Sequence, residues 1–145
     1  MSEGDAGGAS GAIRLTIPAE PASLDVVQDA LARLWEQQGV DPVLAMRFET
    51  GLVEITANVI EHSFDADQPG REFTLVVDVG ADALRAELRD NGVPAAVDLS
   101  EVTLPGDDAE SGRGLAMALA TLDELTHEHR EGLNVWRLAC RRTDG

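Results

Sequence analysis

The alternation of apolar and polar positions divides the chain into short elements of two kinds. Ile13, Leu15 and Ile17 alternate with Arg14 and Thr16, the period of a half-buried strand, which Pro18 ends. Leu24, Val27, Leu31, Leu34 and Trp35 then recur at helical spacing, with Ser23 placed as N-cap and Gly39 as terminator. Asp41-Pro42 opens a second helix with proline in the first turn, where its missing N–H is no loss. The apolar set of this helix (Val43, Leu44, Leu52, Val53, Ile55, Val59, Ile60) is dense, which predicts a largely buried element ending near Ser63.

Beyond a polar turn at 65–71, Phe73, Leu75, Val77 and Val79 alternate with Thr74, Val76 and Asp78. Leu84, Ala86 and Leu88 alternate with Arg85, Glu87 and Arg89 after Gly80-Ala81-Asp82, so the two runs read as a hairpin with one apolar face. Residues 90–114 show little period and are long for a loop, as functional lids are. Leu115, Ala118, Leu119 and Leu122 form the stripe of a third helix. Thr126–Arg130 and Leu133–Arg141 read as a closing hairpin turned at Glu131-Gly132, with Trp136, Leu138 and Cys140 on one face. The order β, α, α, β, β, lid, α, β, β predicts an α/β (α+β) two-layer sandwich: a mostly antiparallel sheet with three helices on one face.

Composition narrows the function. A length of 145 residues with 43% hydrophobic content fits one domain with a real core. Residues 1–11 are Gly, Ala, Ser and acids without periodicity and read as a disordered tail, leaving 12–145 as the domain. The tail has neither the basic nor the apolar region of a secretion signal, and no apolar run approaches the ~20 residues that span a bilayer, so a cytoplasmic location and no membrane partner are expected. The net charge of −16 disfavours nucleic acid. All 11 basic residues are Arg, so the lysine of a P-loop or of a protein-kinase fold has no counterpart. Cys140 is the single cysteine, expected as buried packing.

Three features carry chemistry. Glu54, Asn58 and His62 lie four residues apart on one helix face, where polar groups in an apolar helix need partners. Strand 84–88 runs into Asp90-Asn91-Gly92-Val93-Pro94: a carboxylate there can accept from an exocyclic amine, although the same residues make ordinary turns. Ser111-Gly112-Arg113-Gly114-Leu115 precedes the third helix, where free N–H groups and the dipole favour an anion. His127 and His129 share a strand face, but no cysteine lies near to complete a metal site.

Taken together and in this order, the three segments resemble the boxes of the GHKL (Bergerat-fold) ATPase superfamily, and within it the anti-sigma-factor serine kinase branch. The resemblance spans Glu54–His62 as the Asn box, Asp90–Pro94 as the Asp-x-Gly-x-Pro box and Glu110–Leu115 as the second glycine box. It implies a Bergerat ATP-binding fold with ATP and Mg²⁺ as cofactors. Asn58 would ligate the metal, Asp90 would take the adenine amine with Gly92 making room for the base, and Gly112, Arg113 and Gly114 would hold phosphate. Glu54 would be the general base, His62 would line the site, and residues 97–111 would form the lid. The implied function is a regulatory serine kinase that sequesters a sigma factor and phosphorylates an antagonist protein, with homodimerisation open. The alternatives are an ATP-binding sequestering module without transfer, and a partner-switch kinase with another output. Without a dimerisation helix or transducer domain, a sensor histidine kinase and gyrase-like relatives are disfavoured.

Overall fold

The computed structural model describes residues 11–64, 68–93, 118 and 120–142. Strands β1 (Gly11–Pro18), β2 (Glu72–Val79), β3 (Ala83–Asp90), β4 (Glu124–Arg130) and β5 (Leu133–Arg141) form one antiparallel sheet in the order β1-β2-β3-β5-β4. Helices α1 (Ser23–Gln38) and α2 (Pro42–His62) pack on it. The expected α+β architecture holds. Among the described residues two complete helices are present where three were expected. Of the third, Ala118, Ala120 and Thr121 are helical and the Leu122 N–H donates to Ala118 O at 3.0 Å. β1 begins at Gly11, opposite Val79, so that residue belongs to the sheet and not to the tail.

The alternation along the strands sorts the two sheet faces. Leu84, Ala86, Leu88, Trp136, Leu138 and Cys140 are buried on the helix side together with Leu75 and Val77. On the opposite face Glu87 pairs with Arg89 (3.1 Å) and Arg137 (3.2 Å), and Arg137 also reaches Glu128 (3.0 Å). Such exposed pairs contribute little stability; the core side of the sheet carries the fold.

α1 ends as its glycine dictates. Gly39 takes the left-handed conformation (φ 61°), and the Val40 N–H donates to Trp35 O at 3.0 Å. At its start Ser23 is not the cap: it is buried as the first helical residue, and Ala22 at the cap position makes no side-chain bond. The first N–H groups are satisfied instead by the turn before, Ser23 donating to Glu20 O (2.9 Å) and Leu24 to Pro21 O (3.1 Å). α2 starts as expected, with Asp41 Oδ2 accepting from the N–H groups of Val43 and Leu44, both at 3.1 Å.

The buried face of α2 consists of Ala45, Phe48, Gly51, Leu52, Ile55, Thr56, Val59 and Ile60. Each fully buried large apolar side chain contributes about 1.5–3 kcal/mol. Val43 departs from the expected set and is 75% exposed, because the helical period turns it away from the stripe led by Ala45 and Phe48. Thr56 is buried without penalty, its hydroxyl donating to Leu52 O at 2.8 Å. Gly51 is a notch: a Cβ there would fall 2.6 Å from Leu122 Cγ, so its absence seats the segment leading into β4. Arg47 pins the same junction, with Nε donating to Thr121 O (2.9 Å) and Nη2 pairing with Asp123 (3.0 Å).

Candidate functional site

The C-terminal end of β3 meets the C-terminal end of α2. The Val93 N–H donates to Ser63 O at 2.7 Å, and a Cβ on Gly92 would collide with that same carbonyl. Gly92 is therefore required by the approach of its backbone to the helix end, a reason that its place in a turn motif does not reveal. This contact sets Asp90 and Gly92 against the helix that bears Glu54, Asn58 and His62.

Asp90 is the last residue of β3, pairs with Asn134 of β5, and is 1% exposed. Its Oδ1 accepts from the Gly92 N–H and from Asn134 Nδ2, both at 2.9 Å. Asn134 Nδ2 also donates to Val93 O (2.7 Å), and its Oδ1 lies 2.9 Å from His127 Nε2. An amide oxygen only accepts, so His127 Nε2 carries the hydrogen of that bond. The His127 ring stands on Trp136, with centroids 4.4 Å apart. Asp90 Oδ2 and Trp136 Nε1 are buried and have no hydrogen-bond partner among the described residues. Burial dominates and holds the Asp90 carboxyl above its usual range, against the hydrogen bonds of Asn134 and Gly92, the indole N–H of Trp136, which lies near the carboxylate without hydrogen-bonding geometry, and the charge of His127.

A buried acceptor without a donor costs on the order of 1–3 kcal/mol, which a ligand N–H entering there recovers. An exocyclic amine of a nucleobase has the donor that Oδ2 lacks. Asn58 is half-buried on α2 and its side chain has no hydrogen bond or ion pair among the described residues, so its amide oxygen is uncommitted. That is the donor type a hard cation takes. The residues present thus fit a nucleotide with its metal ion. Glu54 lies one turn before Asn58, half-buried, and lines a groove between α1 and α2. The His62 side chain is half exposed, with Nε2 at 3.6 Å from Glu61 Oε1. Gly112, Arg113 and Gly114 lie outside the described residues, as does the expected lid.

Sequence reasoning missed Asn134. The available signal was an asparagine one residue into a strand otherwise rich in β-formers, where Asn is depleted. His127 has its structural role here, and among the described residues no group of three or more His, Cys, Asp or Glu side chains is placed to hold a metal. Cys140 is buried as expected, Sγ donating to Thr121 O at 3.3 Å, and burial pushes its thiol up. None of the helices among the described residues is long and apolar enough to cross a membrane.

An antiparallel sheet covered by helices on one face, with a buried carboxylate at the end of its central strand close to the end of α2, gives an α+β domain of the histidine kinase-like type. The chain belongs to the histidine kinase-like ATPase domain family, whose model matches residues 17–140. Among solved structures it is similar to the RsbU and RsbW domains of Rv1364c from Mycobacterium tuberculosis, with 20% identity and a TM-score of 0.66. The match covers 90% of this chain and 32% of that one, so the chain spans about a third of its neighbour's length. No protein of curated function matches the chain.

Proposed function

We propose that the chain is an ATP-dependent regulatory serine kinase of the anti-sigma type. In this reading it sequesters a sigma factor and phosphorylates an antagonist protein that competes for it. The observation that carries the nucleotide half is Asp90 Oδ2, buried and unpartnered at the end of β3, in a family of ATPase domains. The RsbW domain within the similar structure supports the partner-switch half.

The chain's own residues would act as follows. Asp90 accepts the adenine amine while Asn134 and Gly92 hold its other oxygen, so the carboxylate is oriented before the base arrives. Asn58 would hold Mg²⁺, which supplies charge neutralisation at the phosphates when bound, and Gly112, Arg113 and Gly114 would hold the phosphates themselves. Glu54 takes the proton of the serine hydroxyl as its oxygen bonds to the γ-phosphorus. The bond from that phosphorus to the β–γ bridging oxygen breaks, and ADP leaves. A positioned base contributes typically ~10²–10⁴-fold, and the remainder comes from orientation and charge stabilisation.

Glu54→Gln should therefore abolish most transfer and leave ATP affinity nearly intact. The test pairs an ATP-binding isotherm with single-turnover phosphotransfer to proteins recovered by pull-down from the native cell. Equal rates in wild type and variant remove Glu54 from the mechanism. ATP binding without transfer by the wild type to any recovered protein assigns a sequestering module instead.

A further inference from the structure

The groove between α1 and α2 has a volume of about 660 Å³, and no part of the assignment above uses its length. Along α2 its lining runs from Pro42 to Glu54, about 18 Å at the helical rise, and it stops one turn short of Asn58. Its apolar walls come from Trp35, Val40, Met46 and Val53. Met46, on the groove's rim, is 71% exposed.

Three acids line the same groove, Glu36, Glu49 and Glu54, and no basic residue does. Glu49 Oε1 accepts from Trp35 Nε1 at 2.9 Å, which fixes its carboxylate at the groove wall. The side chains of Glu36 and Glu54 have no hydrogen bond or ion pair among the described residues. An apolar trough with only negative charge along it selects an occupant with apolar side chains and flanking cations, and repels an acidic one, including a second copy of this chain at net charge −16.

We propose that this groove docks a segment of a protein partner that is apolar on one side and carries Arg or Lys beside it, and that the docked segment leads its phosphoacceptor hydroxyl to Glu54. The second half of this statement rests on the kinase reading; the first does not. α2 then serves two ligands in series, the protein segment along its first three turns and the nucleotide beyond Glu54.

The probe is a synthetic amphipathic peptide of about 14 residues with leucines at helical spacing and flanking arginines. Its control carries glutamates in place of the arginines, and binding to the full chain is read by calorimetry. The arginine peptide should bind and the glutamate peptide should not. Met46→Asp, an exposed position that folding does not depend on, should weaken binding roughly tenfold or more. Glu36→Arg should weaken it by a similar factor. Asp82→Arg, the same charge change at the β2–β3 turn away from the groove, should leave it nearly unchanged, and all three variants should keep wild-type ATP affinity. Affinity that follows net charge alone, with Asp82→Arg as harmful as Glu36→Arg, overturns the proposal. So does a wild-type dimer in sedimentation that Met46→Asp dissociates, because the occupant is then a second copy. Phosphotransfer to a recovered protein that is insensitive to Met46→Asp removes the groove and keeps the kinase. Groove-dependent peptide binding by a chain that transfers no phosphate supports the docking surface and removes the kinase.

Discussion

Two aspartates, Asp90 and Asp123, sit at opposite ends of the β3–β5 ladder and are treated in opposite ways. Asp123 is met by donors on each oxygen: the Arg141 N–H reaches Oδ2 at 2.6 Å, and Arg47 reaches Oδ1 at 3.0 Å. The backbone bond from Arg141, with the charges of Arg47 and Arg141, holds its carboxyl below the usual range. Asp90 is deeper, and one of its oxygens has no donor, so burial pushes it up instead. A carboxylate that fastens elements together is saturated by the fold itself. Asp90 keeps one buried oxygen without such a bond among the described residues, and the fold bears that cost.

The largest separation between the two should come from Asp90→Asn. Removing the buried acceptor and presenting a donor to the adenine amine should lower ATP affinity about 10–100-fold, the equivalent of ~1–3 kcal/mol. The apo variant should melt no lower than wild type, since a buried carboxylate disappears. Calorimetry and thermal unfolding on one preparation give both numbers; a variant that melts lower yet binds ATP normally would reverse the two roles. Asp123→Asn should show the complementary pattern. A loss of about 1 kcal/mol of stability is expected, modest because its arginine partners are partly solvated. ATP affinity should stay unchanged in the same binding assay.

Acidification sharpens the contrast. The folded pKa of Asp90 is raised, so its unfavourable term applies above that value and is relieved as pH falls through it toward the ordinary 3.8. The Asp90→Asn advantage in melting temperature should therefore be greatest near neutrality and shrink on acidification. The folded pKa of Asp123 is depressed, so its contribution is present above 3.8 and is lost as pH falls through the lower folded value. The Asp123→Asn deficit should persist further into the acid range. Melting curves at constant ionic strength from about pH 7 to about pH 3 check the order; an advantage for Asp90→Asn that grows on acidification would contradict it.

The smallest effect concerns the support behind Asp90. His127→Phe keeps a ring against Trp136 and removes the bond to Asn134. ATP affinity should fall only about 2–10-fold, matching one hydrogen bond's net ~0.5–1.5 kcal/mol. A loss as large as that of Asp90→Asn would mean that His127 itself meets the nucleotide.

Much of this contrast is invisible in the chain read linearly. Alternation located the strands, and Leu133–Arg141 has the bounds of β5 as expected. Asp41-Pro42 and Gly39 marked helix ends because caps are local chemistry. Asp90 could be singled out as a candidate because a carboxylate followed by Gly-x-Pro at a strand end is unusual in order and company, and it is the buried last residue of β3. Asn134 was not, since its value lies in facing Asp90 across β3–β5, a pairing that only the closed sheet creates. Asp123 was missed for the same reason, its partners coming from α2 and β5. Val43 misled because a dense apolar helix does not declare which of its apolar residues face solvent and which the core.

The chain contains no tyrosine and two tryptophans, and the fold places them apart in meaning. Trp35 lines the groove with its indole N–H on Glu49; Trp136 lies under the His127 ring beside Asp90, its own N–H unbonded. The protein's intrinsic fluorescence is thus a two-channel signal. Trp35→Phe leaves an emitter that senses the Asp90 end, where the tilted His127 ring lies against it. Trp136→Phe leaves one that senses the groove, so occupancy of each region can be followed optically without a label.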